Sequence, residues 1–375
     1  MQFRDLNAQY HALKEQIDKS INEVIESSCF IFGKQVSELE EKLANKVGVD
    51  YCVTCGSGTD ALKLTLYSWD IGPSDAVFAP DFTFFATIAS AMSLSAEPVP
   101  VDIDPDTFNM SPKKLEEAIK RVISDGIYTP KAIIPADMFG QCARYDDIKA
   151  IADRYGLLVL EDGAQSFGAK INGRPSCSFG DAAATSFYPA KPLGCYGDGG
   201  AVFTNDPELD RRLRSVRAQG RAPKDKYDNK EVGFNSRLDT LQAAVLLAKL
   251  DRFYNFELDE IDRIAKIYTD ELSPLVKTPT VLPGYSSSWA QYTVLLKDEA
   301  EREALRSFLK SKDIPTMIYY PRGMHQQTAL KGRRYATGDF SATETAVKSC
   351  LSLPIHPYLG DDVYTVINAV REFFG

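Results

Sequence analysis

The feature that most constrains the fold is an alternation of short apolar, β-rich runs with helical stretches between about residues 15 and 250. Several runs are almost continuously apolar, which is typical of strands covered on both faces. The pattern therefore predicts an α/β domain with a mainly parallel, seven-stranded sheet. The predicted strands are Asp50–Thr54, Ala76–Pro80, Pro98–Asp102, Ala132–Ala136, Leu157–Leu160, Ala182–Phe187 and Ala201–Thr204.

Helical periods separate these runs, at Val36–Val47, Thr59–Ser68 and Pro112–Val122. The third has clear signals for the start of a helix, because Ser111 can cap it and Pro112 suits the first helical position. The spacing fits helical crossovers between parallel strands.

The pattern changes after a predicted helix at Leu238–Tyr254. We predict a large α/β domain over residues 1–250 and a smaller α+β domain over residues 251–375. The predicted elements of the second domain are helix Glu257–Leu272, a Pro/Ser/Gly stretch at Ser273–Ser288, strand Trp289–Lys297, helix Glu299–Lys312, strand Pro315–Tyr320 and two more helices.

The formal charge is −9, with acidic and basic residues interleaved along the chain. No basic stripe or arm is present, so nucleic acid and anionic membranes are poor partner candidates. No run approaches the ~18 apolar residues of a membrane span. The chain has seven cysteines, an odd number, and a polar N-terminal segment, which together predict a reduced, cytoplasmic protein.

Cys52 and Cys55 have the spacing of a metal or redox pair. The chain has no second CxxC and only three histidines, so we expect no metal site.

A glycine-rich turn at residues 55–62 follows the first predicted strand. Its backbone N–H groups and the helix that it opens can bind a phosphate. Gly56, Gly58 and Ala61 also fit a dinucleotide fingerprint with Asp81 downstream. A plain tight connection is the third interpretation.

Asp162 follows the apolar strand Leu157–Leu160. Ligands bind at the open carboxyl edge of α/β sheets, so an acid there is well placed. It could also be a simple helix cap.

Lys191 lies in a loop framed by Pro189, Pro192 and Gly194. A lysine with no role beyond the protein surface is rarely flanked by residues that restrict the backbone in this way. A lysine amine is protonated at neutral pH, whereas Schiff-base chemistry needs the free amine, so the lysine must be desolvated or near other cations.

Pyridoxal phosphate requires an anion site for its phosphate, an acid, an aromatic ring and a lysine. The chain has a candidate for each: the glycine-rich turn, Asp162, the pair Phe84 and Phe85, and Lys191. A nicotinamide enzyme would leave Lys191 unexplained.

On its motifs SGTDAL, FTFFAT, EDGAQSFGA, SFYPAKPLGCYGDGG and GFNSRLDTLQAA, the chain resembles the nucleotide-sugar aminotransferases of the DegT type, in the fold type I pyridoxal-phosphate family. The resemblance runs from Phe3 to about Pro357. It implies that Lys191 forms the Schiff base and moves the proton, that Asp162 pairs with the pyridine nitrogen, that Gln165 pairs with the ring hydroxyl, and that Phe84 stacks on the ring.

The resemblance also implies a phosphate site and a homodimer with shared active sites. Asn235 would reach the phosphate of the neighbouring subunit's cofactor. The groups that would hold the phosphate in the chain itself are Ser186 and the backbone of Gly58, Thr59 and Asp60.

The segment from Ser186 to Gly200 is most similar to family members that aminate carbon 3 of a UDP-linked 2-acetamido-3-keto-hexuronate, with glutamate as donor, for surface polysaccharide. Arg237 would meet the sugar carboxylate, with Tyr320 and His325 near the sugar or diphosphate. Arg237 could instead brace the helix that follows it.

Three departures from the family pattern are Gly163 for alanine, Asp198 for glutamate, and a Tyr319–Tyr320 pair for His-Tyr. The alternatives are a 4-keto-6-deoxy sugar-nucleotide aminotransferase, a transaminase of free amino acids or small keto acids, a dinucleotide-dependent oxidoreductase, and a non-enzymatic regulatory protein.

Overall fold

The computed structural model describes residues 1–222, 225 and 227–375. Its strands are β1 Tyr51–Cys55, β2 Asp75–Pro80, β3 Glu97–Val101, β4 Thr129–Ile133, β5 Leu158–Asp162, β6 Lys170–Ile171, β7 Arg174–Pro175, β8 Ala182–Ser186, β9 Gly200–Thr204, β10 Tyr285–Ser286, β11 Tyr292–Leu295 and β12 Cys350–Leu353.

The α-helices are α1 Leu6–Ser27, α2 Lys34–Val47, α3 Gly58–Ser68, α4 Phe85–Met92, α5 Pro112–Asp125, α6 Tyr145–Tyr155, α7 Pro207–Val216, α8 Thr240–Arg252, α9 Leu258–Leu272, α10 Glu299–Ser311, α11 Ser341–Ser349 and α12 Asp362–Phe374. A π-helical turn at Phe253–Glu257 joins α8 to α9, and short 3-10 turns lie at Met138–Gly140, Met324–Gln326 and Thr328–Leu330.

The main sheet has seven strands in the order β1-β9-β8-β5-β4-β2-β3. The pairs β2–β3, β2–β4, β4–β5 and β5–β8 are parallel, and β9 alone runs antiparallel to its neighbours β1 and β8. The predicted mainly parallel, seven-stranded sheet is therefore confirmed. The carboxyl ends of β1, β2, β5 and β8 meet at one edge of this sheet.

Apolar side chains cover both faces of the sheet, as the continuous apolar runs predicted. Along β2, Val77 and Ala79 pack on one face against α3, α4 and α7, whereas Ala76 and Phe78 pack on the other against α5 and α6. Helices α2 and α8 cover the rest of that second face. This division follows from the two-residue side-chain period of a strand.

The helix predicted from Ser111 and Pro112 is present as α5. The Ser111 hydroxyl accepts the N–H of Lys114 at 3.4 Å, and Pro112 occupies the first turn. Cap and proline therefore place the helix start where the sequence indicated.

The predicted strand Pro315–Tyr320 is wrong. Only Met317 pairs there, through two backbone hydrogen bonds with Ser352 of β12. Strand β12, which the sequence analysis missed, pairs with β11 instead. Pro315 has no N–H to donate, which shortens the pairing segment.

Buried residues between Ile261 and Val370 form a cluster of their own around β11, β12, α9, α10 and α12. A second cluster, which includes Phe82 and Phe139 as well as Ala346, connects this region to the main sheet. The division at residue 250 stays a prediction. Among the described residues, no helix has the length and apolarity that a bilayer crossing requires.

Candidate active site

The turn after β1 makes an anion-binding end on helix α3. Ser57 caps the helix by accepting the N–H of Asp60 at 3.1 Å, and the N–H of Thr59 donates to no group in the described chain. A Cβ on Gly58 would lie 2.6 Å from the Cβ of Ser186. Glycine at 58 therefore lets the Ser186 hydroxyl, at the end of β8, lie against the start of α3.

The segment that contains Asn235 is attached to this turn in the same chain. The Ser236 hydroxyl donates to the Asp60 carboxylate at 2.7 Å and accepts the N–H of Gly56 at 3.0 Å. Asn235 itself is exposed. The structure thus places Asn235 next to the anion-binding turn, with its side chain open to a second molecule.

Asp162 is the last residue of β5, and it is buried. Its two carboxylate oxygens accept the Thr87 hydroxyl at 2.8 Å and the Ala164 N–H at 3.2 Å. Burial raises the pKa of Asp162, while the Thr87 hydrogen bond and the charge of Lys191 oppose that rise. A carboxylate held in this way favours a cationic partner.

Gln165 is buried beside Asp162 and is fixed at both ends. Its amide oxygen accepts the N–H of Phe139 at 2.8 Å, and its amide nitrogen donates to the Tyr320 hydroxyl at 3.3 Å. The ring of Phe84 lies 6.2 Å from that of Tyr320 and is 55% exposed, which is unusual for phenylalanine. The exposed ring is therefore free to stack on a planar ligand.

Lys191 is half-buried in the loop after β8. Burial lowers the pKa of its amine to about 8; the charge of Asp162 opposes this shift, and the charge of Arg4 adds to it. The amine has no hydrogen-bond acceptor among the described residues. A lysine in this setting has a larger free-amine fraction near neutral pH than an ordinary surface lysine.

A second layer of acids supports the loop after β5. Asp137 accepts the Ser166 hydroxyl at 2.6 Å and the Tyr145 hydroxyl at 2.8 Å. Glu161 accepts the backbone N–H groups of Cys177 and Phe179. Burial raises the pKa of both carboxyls. The charge of Asp162 adds to the rise at Asp137, and the charge of Asp137 adds to the rise at Glu161.

His325 is engaged by acidic groups. Its Nδ1 lies 2.5 Å from the buried carboxylate of Asp81, its Nε2 lies 3.7 Å from Glu344, and its ring stacks on Phe340 at 4.5 Å. Burial acts to lower the pKa of His325, but Asp81 outweighs it and raises the pKa. Asp81 is therefore hydrogen-bonded to His325. The dinucleotide interpretation required Asp81 to bind a ribose instead.

Arg237 lines an open groove with Gln219, Arg221 and Glu231. In the part of the chain that the structure describes, its guanidinium forms no ion pair. Lys191 lines a different, narrower cavity with Arg4 and Glu257. Within one chain, the predicted substrate arginine and the predicted catalytic lysine thus belong to separate openings.

Sequence reasoning gave no role to three side chains that the structure places here. Thr87 holds Asp162, Ser236 holds the glycine turn, and Arg4 donates from Nη2 to the backbone oxygen of Lys191 at 3.1 Å. The FTFFAT motif contained a signal for the first, because Thr83 and Thr87 are four residues apart and their hydroxyls lie 2.9 Å apart.

Comparison with known proteins is consistent with this geometry. The sequence matches the DegT/DnrJ/EryC1/StrS aminotransferase family over residues 11–371. It is 43% identical to the UDP-2-acetamido-2-deoxy-3-oxo-D-glucuronate aminotransferase of Pseudomonas aeruginosa over 96% of each chain. It is also 40% identical to the pleiotropic regulatory protein of Geobacillus stearothermophilus, over 99% of this chain and 97% of that protein.

The fold is shared with a crystal structure of a DegT/DnrJ/EryC1/StrS aminotransferase from Brucella abortus, with a TM-score of 0.97, 46% identity and full coverage of both chains. The fold and the site define an α/β enzyme of the aminotransferase class. The chain belongs to the DegT/DnrJ/EryC1/StrS aminotransferase family.

We predict that Gly58→Ala destabilises the protein by about 1–3 kcal/mol, because the added methyl group overlaps Ser186 and separates β8 from α3. Urea unfolding followed by circular dichroism measures the loss. Gly72→Ala is the matched control, because a Cβ there meets no atom within 4 Å. Equal stabilities for the two variants would show that the turn and Ser186 are not closely packed.

Proposed function

We propose that this protein is a pyridoxal-phosphate-dependent aminotransferase that moves an amino group from glutamate to a UDP-linked 3-keto-hexuronate, in the synthesis of amino sugars for surface polysaccharide. The observation that supports this most is the position of Lys191, in the loop after β8, near the buried Asp162 at the carboxyl edge of the sheet, where the charge of each acts on the other's pKa.

The residues fit the cofactor. The Thr59 N–H and the Ser186 hydroxyl suit its phosphate, and the exposed Phe84 ring suits its planar ring. The buried Asp162 suits a protonated pyridine nitrogen, since such a partner relieves the cost of burying the carboxylate. Pyridoxal phosphate, when bound, supplies a carbonyl that accepts and passes on an amino group and a ring that withdraws electrons from the reacting carbon.

The remaining roles, proton transfer and orientation of the cofactor, belong to side chains of this protein. Lys191 Nζ takes a proton from the donor carbon and returns one during amination, which requires a pKa not far from neutral. Asp162 keeps the pyridine nitrogen protonated, with Thr87 orienting its carboxylate. Gln165, fixed by Phe139 and Tyr320, presents a polar edge to the ring hydroxyl. Glutamate leaves as 2-oxoglutarate before the keto sugar accepts the amino group.

The sugar class rests on the similarity to the Pseudomonas enzyme and on Arg237. A guanidinium can bind a carboxylate through two parallel hydrogen bonds, and Arg237 is without an ion-pair partner in the described chain. We assign the uronate carboxylate to it. His325 is committed to Asp81, so its contact with substrate would come through Nε2, and Tyr320 would contact the sugar from beside Gln165.

A homodimer would bring the two openings together. Asn235 is exposed beside the glycine turn, and the exposed apolar residues Phe30, Ile31 and Phe32 lie on a nearby segment, since Ile31 bridges to Asp239. We propose that Asn235 and Arg237 act in the neighbouring subunit's site.

A cytoplasmic location is also proposed, and it is supported by seven cysteines that are all unpaired.

We predict that the 3-keto-uronate is aminated faster than a 4-keto-6-deoxy sugar nucleotide, with product measured by mass spectrometry. Arg237→Ala should lower kcat/KM for the uronate about 10- to 100-fold, the loss expected for a charged hydrogen-bonding pair. The 4-keto sugar lacks the carboxylate and should be much less affected. Arg306→Ala, a surface change, serves as control. A clear preference for the 4-keto sugar contradicts the uronate assignment, and equal losses would make Arg237 structural.

We predict that mixing inactive Lys191→Ala and inactive Asn235→Ala chains restores about one quarter of wild-type activity. Half of the dimers are then mixed, and each mixed dimer has one site with both changes and one site with neither. Steady-state assays after exchange of subunits measure the recovery. Absence of recovery would place Asn235 in its own subunit's site.

A further inference from the structure

Arg4 lies behind the lysine loop and is partly buried. Its Nη2 donates to the backbone oxygen of Lys191 at 3.1 Å, across 187 positions of sequence. Its Nη1 is buried and has no hydrogen-bond partner in the described chain. Asp5 caps α1 by accepting the N–H of Ala8 at 2.8 Å, which holds the segment in place. The first residues of the chain therefore place a partly buried cation against Lys191.

One carboxylate balances this cation. Glu257, at the end of the π-helical turn, accepts the Gln9 amide at 2.9 Å and the Tyr358 hydroxyl at 2.7 Å, and its charge acts on Arg4. The titratable and charged groups around Lys191 and Arg4 come from several elements. They are Asp5 before α1, Asp162 at the end of β5, Lys249 in α8, Glu257 in the π-helical turn, Tyr319, and His356 and Tyr358 after β12.

Lys249, in α8, is a buried cation that contacts the same loop. Its amine donates to the backbone oxygen of Gly194 at 2.8 Å and lies 4.2 Å from the centre of the Tyr196 ring, both of which favour the ammonium form. The Lys191 amine has no such acceptor among the described residues. Arg4, Lys249 and Lys191 thus lie near the carboxylates of Asp5, Glu257 and Asp162.

We propose that Arg4 is a positioning residue for Lys191: its guanidinium fixes the backbone of the lysine loop and opposes a positive charge on the lysine amine. The inference rests on the proposed catalytic role of Lys191. Arginine stays charged at neutral pH, so its charge acts against a proton on Lys191, whose amine has no acceptor in the described chain.

The direction in which the pKa of Lys191 changes agrees with this arrangement. Burial and, to a smaller extent, the charge of Arg4 lower the pKa of Lys191 to about 8 against the opposing charge of Asp162. Removing the Arg4 charge therefore raises the pKa of Lys191, so that a smaller fraction of the amine is free at neutral pH.

The test measures the Lys191 amine directly in full-length, cofactor-free protein. Labelling with acetic anhydride across a pH series, read by peptide mass spectrometry, gives the midpoint of reactivity for Lys191. Arg4→Met should raise that midpoint by roughly half a unit, which slows labelling at pH 7 about threefold. Arg4→Lys, which keeps the charge, should stay close to wild type. Because the readout needs neither cofactor nor sugar, it is independent of the proposed substrate.

The controls separate charge from packing. Arg4→Gln keeps an N–H donor without the charge, so it should behave as Arg4→Met does, and it provides the test if the methionine variant unfolds. Arg302→Met removes another buried arginine that donates to a backbone oxygen, that of Val347, far from the lysine loop. It should leave the Lys191 midpoint unchanged. An unchanged midpoint in both neutral Arg4 variants, or an equal rise in Arg4→Lys, overturns the proposal.

Discussion

The charge balance around the Lys191 amine is the interaction on which the rest of the structure depends. An ammonium group removed from water is costly, and the cost falls when the amine releases its proton. Asp162 limits that release by its opposite charge, and Arg4 favours it. The amine is thereby held near the point where it can both accept and donate a proton, which is the condition for acid-base chemistry at neutral pH.

The topology of the sheet explains why these groups meet. Strands β5 and β8 are parallel neighbours, so Asp162 and Ser186 leave the sheet at the same edge. Strand β1 runs in the same direction as β8, because both pair antiparallel with β9. The glycine turn after β1 therefore faces Ser186, and the absence of a Cβ at Gly58 permits the contact.

The described chain also connects its two ends to the catalytic loop. Arg4 comes from the N-terminal segment, and His356 and Tyr358 come from the residues after β12. Tyr358 donates to Glu257 at 2.7 Å, and the charge of Glu257 acts on Arg4; the π-helical turn places Glu257 at the junction of α8 and α9. A π-helical turn is a rare interruption of a helix that is often found at functional sites. The C-terminal region is thus connected to the lysine loop by the hydrogen bond from Tyr358 to Glu257, the charge of Glu257 on Arg4, and the hydrogen bond from Arg4 to Lys191.

Much of the main sheet was predictable, because a strand covered on both faces needs an unbroken apolar run, and each run lies within a few residues of a strand. Strand β12 was missed because four residues between two helices leave too short a pattern. Lys191, Asp162 and Ser186 were suggested by local motifs. Thr87 and Arg4 were not, since their partners are 75 and 187 residues away and only the folded chain joins them.

The most direct test of the account is the identity of the lysine that bonds covalently to pyridoxal phosphate. Protein loaded with the cofactor, reduced with borohydride and digested, shows the labelled peptide by mass spectrometry. The account predicts label on Lys191. Lys249 is the informative rival, because burial lowers its pKa to about 8 as well, yet its amine already donates to Gly194. Label on Lys249, or on any lysine other than Lys191, would contradict the central claim.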